Sequence, residues 1–115
     1  MPAAVVQAEP VPFDQLNLAP ELALGVQDRG FTETTSIQTA VFPIVTARRD
    51  LIASAETGSG KTAAYLLPAL NRILNADRAT SKATTPRRTK MLVLGPTREL
   101  VVQIEDDLQG FVYHT

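Results

Sequence analysis

The sequence contains no cysteine and no tryptophan, and its single histidine, His114, is the next-to-last residue. Without cysteine, disulfide scaffolds, thiol catalysis and cysteine-ligated zinc are excluded. One histidine excludes a histidine-rich metal site and a histidine-based triad. No apolar run reaches the ~20 residues of a membrane span. The sequence also shows no positively charged segment followed by a short apolar one, which would be typical of a secretion signal. These absences predict a cytoplasmic, soluble protein with no membrane contact.

The sequence also lacks an excess of either charge, because it contains 11 basic and 12 acidic residues among 115. This balance excludes a globally basic nucleic-acid binder but leaves a local patch open. Residues 78–90 hold five basic residues and no acid. A charge run of this kind in a loop is usually solvated, and RNA contact is the alternative.

Pro20 at a first helical position and Gly30 just past the end predict a helix over residues 20–29. Apolar periodicity predicts three more, over 37–46, 61–76 and 98–112. Short apolar runs predict two buried strands, over 50–54 and 90–95. Pro43 is expected to kink the second helix and Pro68 to interrupt the third. Strands that alternate with helices indicate an α/β domain with a parallel sheet.

The polar segments predict a flexible leader over residues 1–12 and a basic surface loop over 77–89. The acidic run at 105–107 resembles the end of a Walker B strand. Helical periodicity continues through it, so we interpret these acids as the solvated face of the last helix. His114 is expected to fray.

The strongest chemical signal is the sequence A-E-T-G-S-G-K-T at residues 55–62, which matches a phosphate-binding P-loop. Gly58 and Gly60 let the backbone curl so that N–H groups face phosphate oxygens. Lys61 is placed to reach the β- and γ-phosphates, and the Thr62 hydroxyl to bind Mg²⁺. A plain Gly/Ser turn is the alternative, and the strand–turn–helix context favours the phosphate site.

Two flanking segments narrow the function. Upstream stands G-F-T-E-T-T-S-I-Q at 30–38, with Phe13 seventeen residues before Gly30, and downstream stands G-P-T-R-E-L-V-V-Q at 95–103. In this order, residues 30–38, 55–62 and 96–103 resemble the Q motif, motif I and motif Ia of the DEAD-box RNA helicases. The resemblance implies a P-loop NTPase, RecA-like, with a parallel sheet and flanking helices, in a truncated first domain over residues 13–115.

The resemblance also implies roles for single residues. Gln38 would read adenine, since its amide offers both a donor and an acceptor. Phe31 would stack on the base, and Thr35 would support the nucleotide loop. The alternative makes Phe31 a core aromatic and Gln38 an exposed helix residue. The family usually has proline at the position of Thr34, so threonine there predicts a looser loop.

The residues expected to bind ATP come from the Q motif and motif I: Phe31, Thr35, Gln38, Thr57, Gly58, Ser59, Gly60, Lys61 and Thr62. Lys61 and Thr62 are also the expected catalytic residues, and Thr62 is the expected Mg²⁺ ligand. Residues 96–98, which are Pro96, Thr97 and Arg98, are expected to contact the RNA backbone without reading bases. A compatible alternative makes Thr97 only a helix N-cap.

The sequence contains no D-E-A-D. The resemblance implies that this motif holds Mg²⁺ and orients the attacking water, and that a second RecA-like domain is also missing. We therefore expect the parent protein to couple ATP hydrolysis to RNA unwinding or RNP remodelling, and this chain to bind nucleotide at best, without turnover. A non-enzymatic nucleotide- or RNA-binding remnant is the alternative.

The family's sheet order implies that the strands at 50–54 and 90–95 are not neighbours. Each is therefore expected to lack its natural partner, so that either the two pair with each other or the fold is marginal.

Overall fold

Four α-helices make up most of the structure, a computed structural model that describes residues 8–55, 60–80 and 88–115. A 3₁₀ helix, Phe13–Leu16, precedes them. The α-helices are α1 Pro20–Asp28, α2 Ser36–Thr46, α3 Lys61–Thr80 and α4 Arg98–Phe111. All four predicted helices are confirmed. In the described part of the chain, no helix is long and apolar enough to cross a bilayer.

Helix α3 differs from its prediction in two ways. It continues through Pro68 without interruption, and it ends at Thr80 rather than at residue 76. The predicted loop over 77–89 is therefore helical in its first residues, while 81–87 lie outside the described residues. Pro68 is fully buried beside Leu66 and Leu67. This apolar packing offsets the hydrogen bond that a proline removes from a helix, about 3 kcal/mol.

Neither predicted strand is formed. The described residues contain one isolated antiparallel bridge, Pro12 with Glu33, and none in segments 51–55 and 90–95. Ile52, Leu92 and Leu94 are 91%, 77% and 84% exposed. A strand needs a neighbour for its N–H and C=O groups, and these two segments do not pair with each other. The predicted parallel sheet is therefore not confirmed.

The core lies where α1, α3 and α4 meet above the 3₁₀ helix. Its buried members are apolar throughout: Phe13, Ala19, Leu22, Val26, Ala63, Leu66, Leu67, Leu70, Ile104 and Phe111. The predicted stripe of α3 supplies three of the leucines. Each fully buried large side chain contributes about 1.5–3 kcal/mol, so burial on α3 accounts for much of the stability.

Helices α1 and α4 approach unusually closely. A Cβ atom on Gly25 would lie 2.2 Å from the carbonyl oxygen of Phe111. Beside this contact, Arg29 forms an ion pair with Asp107. The guanidinium carbon of Arg29 also lies 5.6 Å from the centre of the Phe111 ring. Gly25 weakens α1 as a helix but allows this contact.

The acidic run of α4 is helical, which confirms that it is not a Walker B strand. Glu105 and Asp106 are exposed as predicted, whereas Asp107 is half-buried in its pair with Arg29. The expectation that His114 frays was wrong. Its Nε2 atom pairs with the carboxylate of Asp28, because the end of α4 lies against α1.

Helix α1 lacks a side-chain cap of its own, since Ala19 occupies the N-cap position. The Ala19 N–H instead donates to Oδ1 of Asn71, 2.7 Å away on α3. Both residues are buried. Asn71 therefore ties the start of α1 to the middle of α3.

Candidate nucleotide-binding site

Gln38 is buried at the start of α2, with 6% of its surface exposed. Its Oε1 atom accepts a hydrogen bond from the N–H of Thr35 at 2.9 Å. Its Nε2 atom donates to the carbonyl oxygen of Gly60 at 3.1 Å. The alternative of an exposed helix residue is therefore wrong, and the side chain joins the Q motif directly to motif I.

Gly60 faces this amide in a backbone conformation that favours glycine, with φ at 84°. A Cβ atom there would lie 2.4 Å from Nε2 of Gln38 and 3.2 Å from Oγ1 of Thr35. The sequence assigned Gly60 to phosphate binding alone. The structure adds a second requirement, because only glycine leaves room for the Gln38 side chain.

Thr35 presents a buried hydroxyl next to Gly60. Thr35 and Gln38 form a capping box at the start of α2, in which the Thr35 side chain faces the backbone of Gln38 and the Gln38 side chain bonds the Thr35 N–H. This pair of contacts fixes the first turn of α2 beside Gly60.

The two hydrogen bonds of Gln38 also fix which way its amide points. A flipped amide would place NH₂ against the Thr35 N–H and the oxygen against the Gly60 carbonyl, so both bonds would be lost. In the assigned orientation, one N–H of Nε2 and one lone pair of Oε1 remain. These match the N7 acceptor and N6 donor of adenine, whereas guanine offers two acceptors on that edge.

Motif I continues from Gly60 into α3. The N–H of Ala64 donates to the Gly60 carbonyl at 3.1 Å, which closes the first turn of the helix. Lys61 is exposed and Thr62 is half-buried. The first N–H groups of a helix lack intrahelical acceptors and suit an anion such as phosphate. Thr57, Gly58 and Ser59 lie outside the described residues.

Gly60, Lys61 and Thr62 line a broad cleft of about 1010 Å³. The rest of its lining is mostly apolar and comes from Val45 of α2, from α3 and α4, and from residues 91–94. Such a lining does not suit phosphate, so the phosphate prediction depends on the start of α3 and not on this cleft. No group of three acidic or histidine side chains in the described ranges could hold a metal. This is compatible with a Mg²⁺ that nucleotide phosphates and water mainly bind.

Phe31 lies at the edge of the core. Its ring centre is 5.8 Å from that of Phe13, nearly parallel, and 5.8 Å from that of Phe111, edge to face. This arrangement matches the core-aromatic alternative. Stacking of Phe31 on adenine stays a prediction.

Thr34 is buried, with 3% of its surface exposed. Its N–H donates to the Val11 carbonyl at 2.8 Å, and its hydroxyl accepts from the Val11 N–H at 2.9 Å. Threonine at this position makes two bonds that proline cannot, and the looser loop stays a prediction. Tertiary bonding thus begins inside the segment 1–12 that was predicted to be a leader.

The order and content of these motifs agree with comparisons to known proteins. Residues 35–115 match the family model of the DEAD/DEAH box helicases. The chain belongs to this family. It is 46% identical over 103 residues to the ATP-dependent RNA helicase SrmB of Escherichia coli strain K12, across 90% of this chain and 22% of SrmB.

Two solved structures resemble this DEAD/DEAH box chain. The RNA-helicase Prp28 from Chaetomium thermophilum, bound to ADP, superposes with a TM-score of 0.71 at 39% identity, across 89% of this chain and 24% of that one. A Saccharomyces cerevisiae Dbp5 variant bound to Gle1 and IP6 gives 0.73 at 33% identity, across 90% and 25%. The chain thus spans about a quarter of each solved relative.

Motif Ia of this DEAD/DEAH box chain opens α4. The hydroxyl of Thr97 accepts from the N–H of Leu100 at 3.2 Å, which confirms the predicted N-cap. Pro96, Thr97 and Arg98 are all exposed. Their contact with RNA stays a prediction, because an exposed cap is compatible with RNA contact and with solvent alone.

Sequence reasoning missed three residues that support the site of this helicase-family chain. Val11 was assigned to the leader, Thr39 was not singled out, and the hydroxyl of Thr34 was not considered. The available signal was the hydroxyl-rich run that extends from Thr32 to Thr39. It could not reveal Val11, whose partner is 23 residues away in sequence.

Proposed function

We propose that this chain is the ATP-binding portion of an ATP-dependent RNA helicase, and that it binds Mg·ATP through the Q motif and motif I. The hydrogen bond from Gln38 to Gly60 carries the proposal. It joins an adenine-type donor–acceptor pair to the loop predicted to hold phosphate, so one ligand with both groups fits. ATP is such a ligand.

Adenine recognition belongs to Gln38 in this proposal. Its remaining N–H donates to N7 and its remaining lone pair accepts from the N6 amine. Thr35 supports this arrangement through the capping box that it forms with Gln38. Because guanine has a carbonyl where adenine has its amine, the site favours ATP over GTP.

Phosphate recognition belongs to the start of α3. Lys61 supplies a point charge for the β- and γ-phosphates, and the helix N-terminus supplies N–H groups and a partial positive charge. The Thr62 hydroxyl is the proposed Mg²⁺ ligand. The ion neutralises phosphate charge when it is bound.

RNA is the proposed second partner, and the cytoplasm is the proposed location. SrmB is named as an ATP-dependent RNA helicase and Prp28 as an RNA-helicase. Exposed residues 96–98, at the start of α4, offer the cap hydroxyl, the free helix N–H groups and a guanidinium to the sugar–phosphate backbone. Contacts of this kind do not depend on base sequence, so residues 96–98 do not determine which RNA the parent helicase binds.

Turnover is not expected from these 115 residues alone. In-line attack on the γ-phosphate needs a residue that orients water and groups that stabilise the developing charge. Motif I provides the phosphate contacts, but the sequence contains no D-E-A-D. We therefore propose nucleotide binding without hydrolysis for the isolated chain.

Calorimetric titration of the 115-residue chain with Mg·ATP and Mg·GTP tests the binding. We expect ATP to bind more tightly, and Lys61→Ala to weaken ATP by at least about tenfold, since it removes a charged contact. Arg72→Ala is the matched control, because it removes an exposed positive charge from the same helix. If the unmodified chain does not bind Mg·ATP, the proposal is overturned.

A steady-state ATPase assay tests the proposal that the isolated chain does not hydrolyse ATP. We expect no ATP hydrolysis above background, with or without single-stranded RNA. RNA-stimulated turnover that Lys61→Ala abolishes would show that this chain is an ATPase by itself.

A further inference from the structure

A chain of hydrogen bonds runs behind the start of α2. The Val11 N–H donates to the hydroxyl oxygen of Thr34 at 2.9 Å. The hydroxyl oxygens of Thr34 and Thr39 lie 2.6 Å apart. The Thr39 hydroxyl also lies 3.2 Å from the carbonyl oxygen of Thr35, to which it donates. The Val11 backbone, which is distant in sequence, is thus linked to Thr35 through two threonine hydroxyls.

The direction of each bond follows from counting protons. A hydroxyl has one proton, and that of Thr39 goes to the Thr35 carbonyl. The bond between the two hydroxyls must then use the proton of Thr34. Thr34 in turn accepts from Val11. Each of the two hydroxyls donates one hydrogen bond and accepts one. All the bonds therefore run in the same direction, from Val11 to Thr35, and neither hydroxyl lacks a partner.

This chain of bonds reaches the adenine reader through Thr35. The carbonyl of Thr35 is held by the hydroxyl and the N–H of Thr39. The N–H of Thr35 donates to Oε1 of Gln38 at 2.9 Å. Holding the peptide group that follows Thr35, together with the bonds of Thr34 to Val11, therefore restricts the direction of the Thr35 N–H that orients the Gln38 amide.

Proline at position 34 could not take part. It has neither the N–H that Thr34 donates to the Val11 carbonyl nor the hydroxyl that links Val11 to Thr39. The arrangement is therefore a property of the threonine that this chain has in place of the usual proline.

We propose that Thr34 and Thr39 are positioning residues that set the preference for adenine over guanine by holding the Gln38 amide in one orientation, with Val11 as their anchor. This inference rests on the proposed function. When the hydroxyl chain is broken, Thr35 can move and the Gln38 amide can turn, so that Nε2 reaches the O6 acceptor of guanine. The ratio of ATP affinity to GTP affinity then falls more than the affinity of the site for phosphate does.

The test measures the ratio of Mg·ATP to Mg·GTP affinity by titration calorimetry. Thr34→Val keeps the size and the backbone N–H but removes the hydroxyl, and we expect the ratio to fall at least about fivefold. Thr34→Ser is expected to restore it. Thr34→Val combined with Thr39→Val is expected to do no more than either change alone, because both break one chain of bonds. Thr32→Val, an exposed change in the same loop, is the control.

A second measurement needs no nucleotide. Hydrogen exchange of the Gln38 side-chain NH₂, followed by NMR, reports whether the amide is held in place, and we expect Thr34→Val and Thr39→Val to accelerate it while Thr32→Val does not. An unchanged affinity ratio with unchanged Gln38 exchange overturns the inference, as does an equal loss for both nucleotides. A native chain that prefers neither nucleotide overturns the proposed function instead, and the exchange measurement then still decides the role of Thr34.

Discussion

The amide of Gln38 combines a donor and an acceptor that different parts of the backbone require. Gln38→Glu keeps the acceptor for the Thr35 N–H but places a carboxylate against the Gly60 carbonyl. We expect the free energy of unfolding to fall by about 2–3 kcal/mol and ATP binding to be lost, because the side chain loses the N–H that it donates to Gly60 and puts a buried negative charge against that carbonyl oxygen. Urea unfolding monitored by circular dichroism gives the first quantity, and titration calorimetry gives the second.

Gln15→Glu makes the same chemical change at an exposed position of the 3₁₀ helix. It is expected to alter stability by less than about 0.5 kcal/mol. Equal effects from the two substitutions would contradict the role assigned to Gln38.

Asn71 is a second residue whose polar atom serves a distant backbone group. Asn71→Leu has a similar volume but leaves the buried N–H of Ala19 without its acceptor. We expect a loss of about 1–3 kcal/mol in urea unfolding. Asn75→Leu, one turn further along α3 at an exposed position, is expected to change stability little. If Asn71→Leu lowers the free energy of unfolding no more than Asn75→Leu does, the Ala19 N–H does not need the acceptor that α3 provides.

At the scale of elements, the packing of α1 on α4 depends on the absence of one methyl group. Gly25→Ala should raise the helix propensity of α1 by about 1 kcal/mol. The new Cβ would overlap the Phe111 carbonyl, which is backbone and cannot rotate away. We expect a net loss of about 1–3 kcal/mol and faster hydrogen exchange in α4.

Gly110→Ala provides the comparison for this contact. Its Cβ would meet the side chain of Arg29, at 2.9 Å, and that side chain can move. The expected loss is therefore smaller than for Gly25→Ala. Greater stability in the Gly25 variant would refute the close approach of the two helices.

The helices were predictable because their signals are local. Pro20 and Gly30 located the first, apolar spacing located the other three, and Thr97 was predicted as the cap of α4. The two predicted strands did not form, since strand formation depends on neighbours that an apolar run does not specify, although their lack of natural partners was expected. The interruption predicted at Pro68 was wrong for a similar reason, because tertiary packing outweighed the tendency of proline to break a helix.

The candidate site divides in the same manner. The motif spacing identified Gln38, Gly60 and Lys61, and the structure brings the first two into contact. The partners of Thr34 could not be predicted, because a hydroxyl at one position does not reveal which distant N–H it accepts.

At the scale of the whole molecule, segments 51–55 and 90–95 place apolar side chains in solvent. Leu92 and Leu94 are 77% and 84% exposed, while Val93 between them packs against the core. We expect Leu92→Lys together with Leu94→Lys to reduce dye binding to apolar surface and self-association at high concentration. Fluorescence of an anilinonaphthalene dye and analytical ultracentrifugation measure these two effects.

Val93→Lys has the opposite expectation, because it places a charge in a packed position. It should lower stability by several times more than the paired leucine changes do. A double leucine variant that unfolds as readily as the Val93 variant would mean that Leu92 and Leu94 are covered in solution.

The bond between Ala19 and Asn71 also bears on the order in which the chain can fold during synthesis. Its partners are 52 residues apart. At about 5–20 residues per second, the ribosome needs about 3–10 s to add that length. Asn71 therefore becomes available to the Ala19 N–H only after α3 has been made, so α1 is anchored by residues translated well after it.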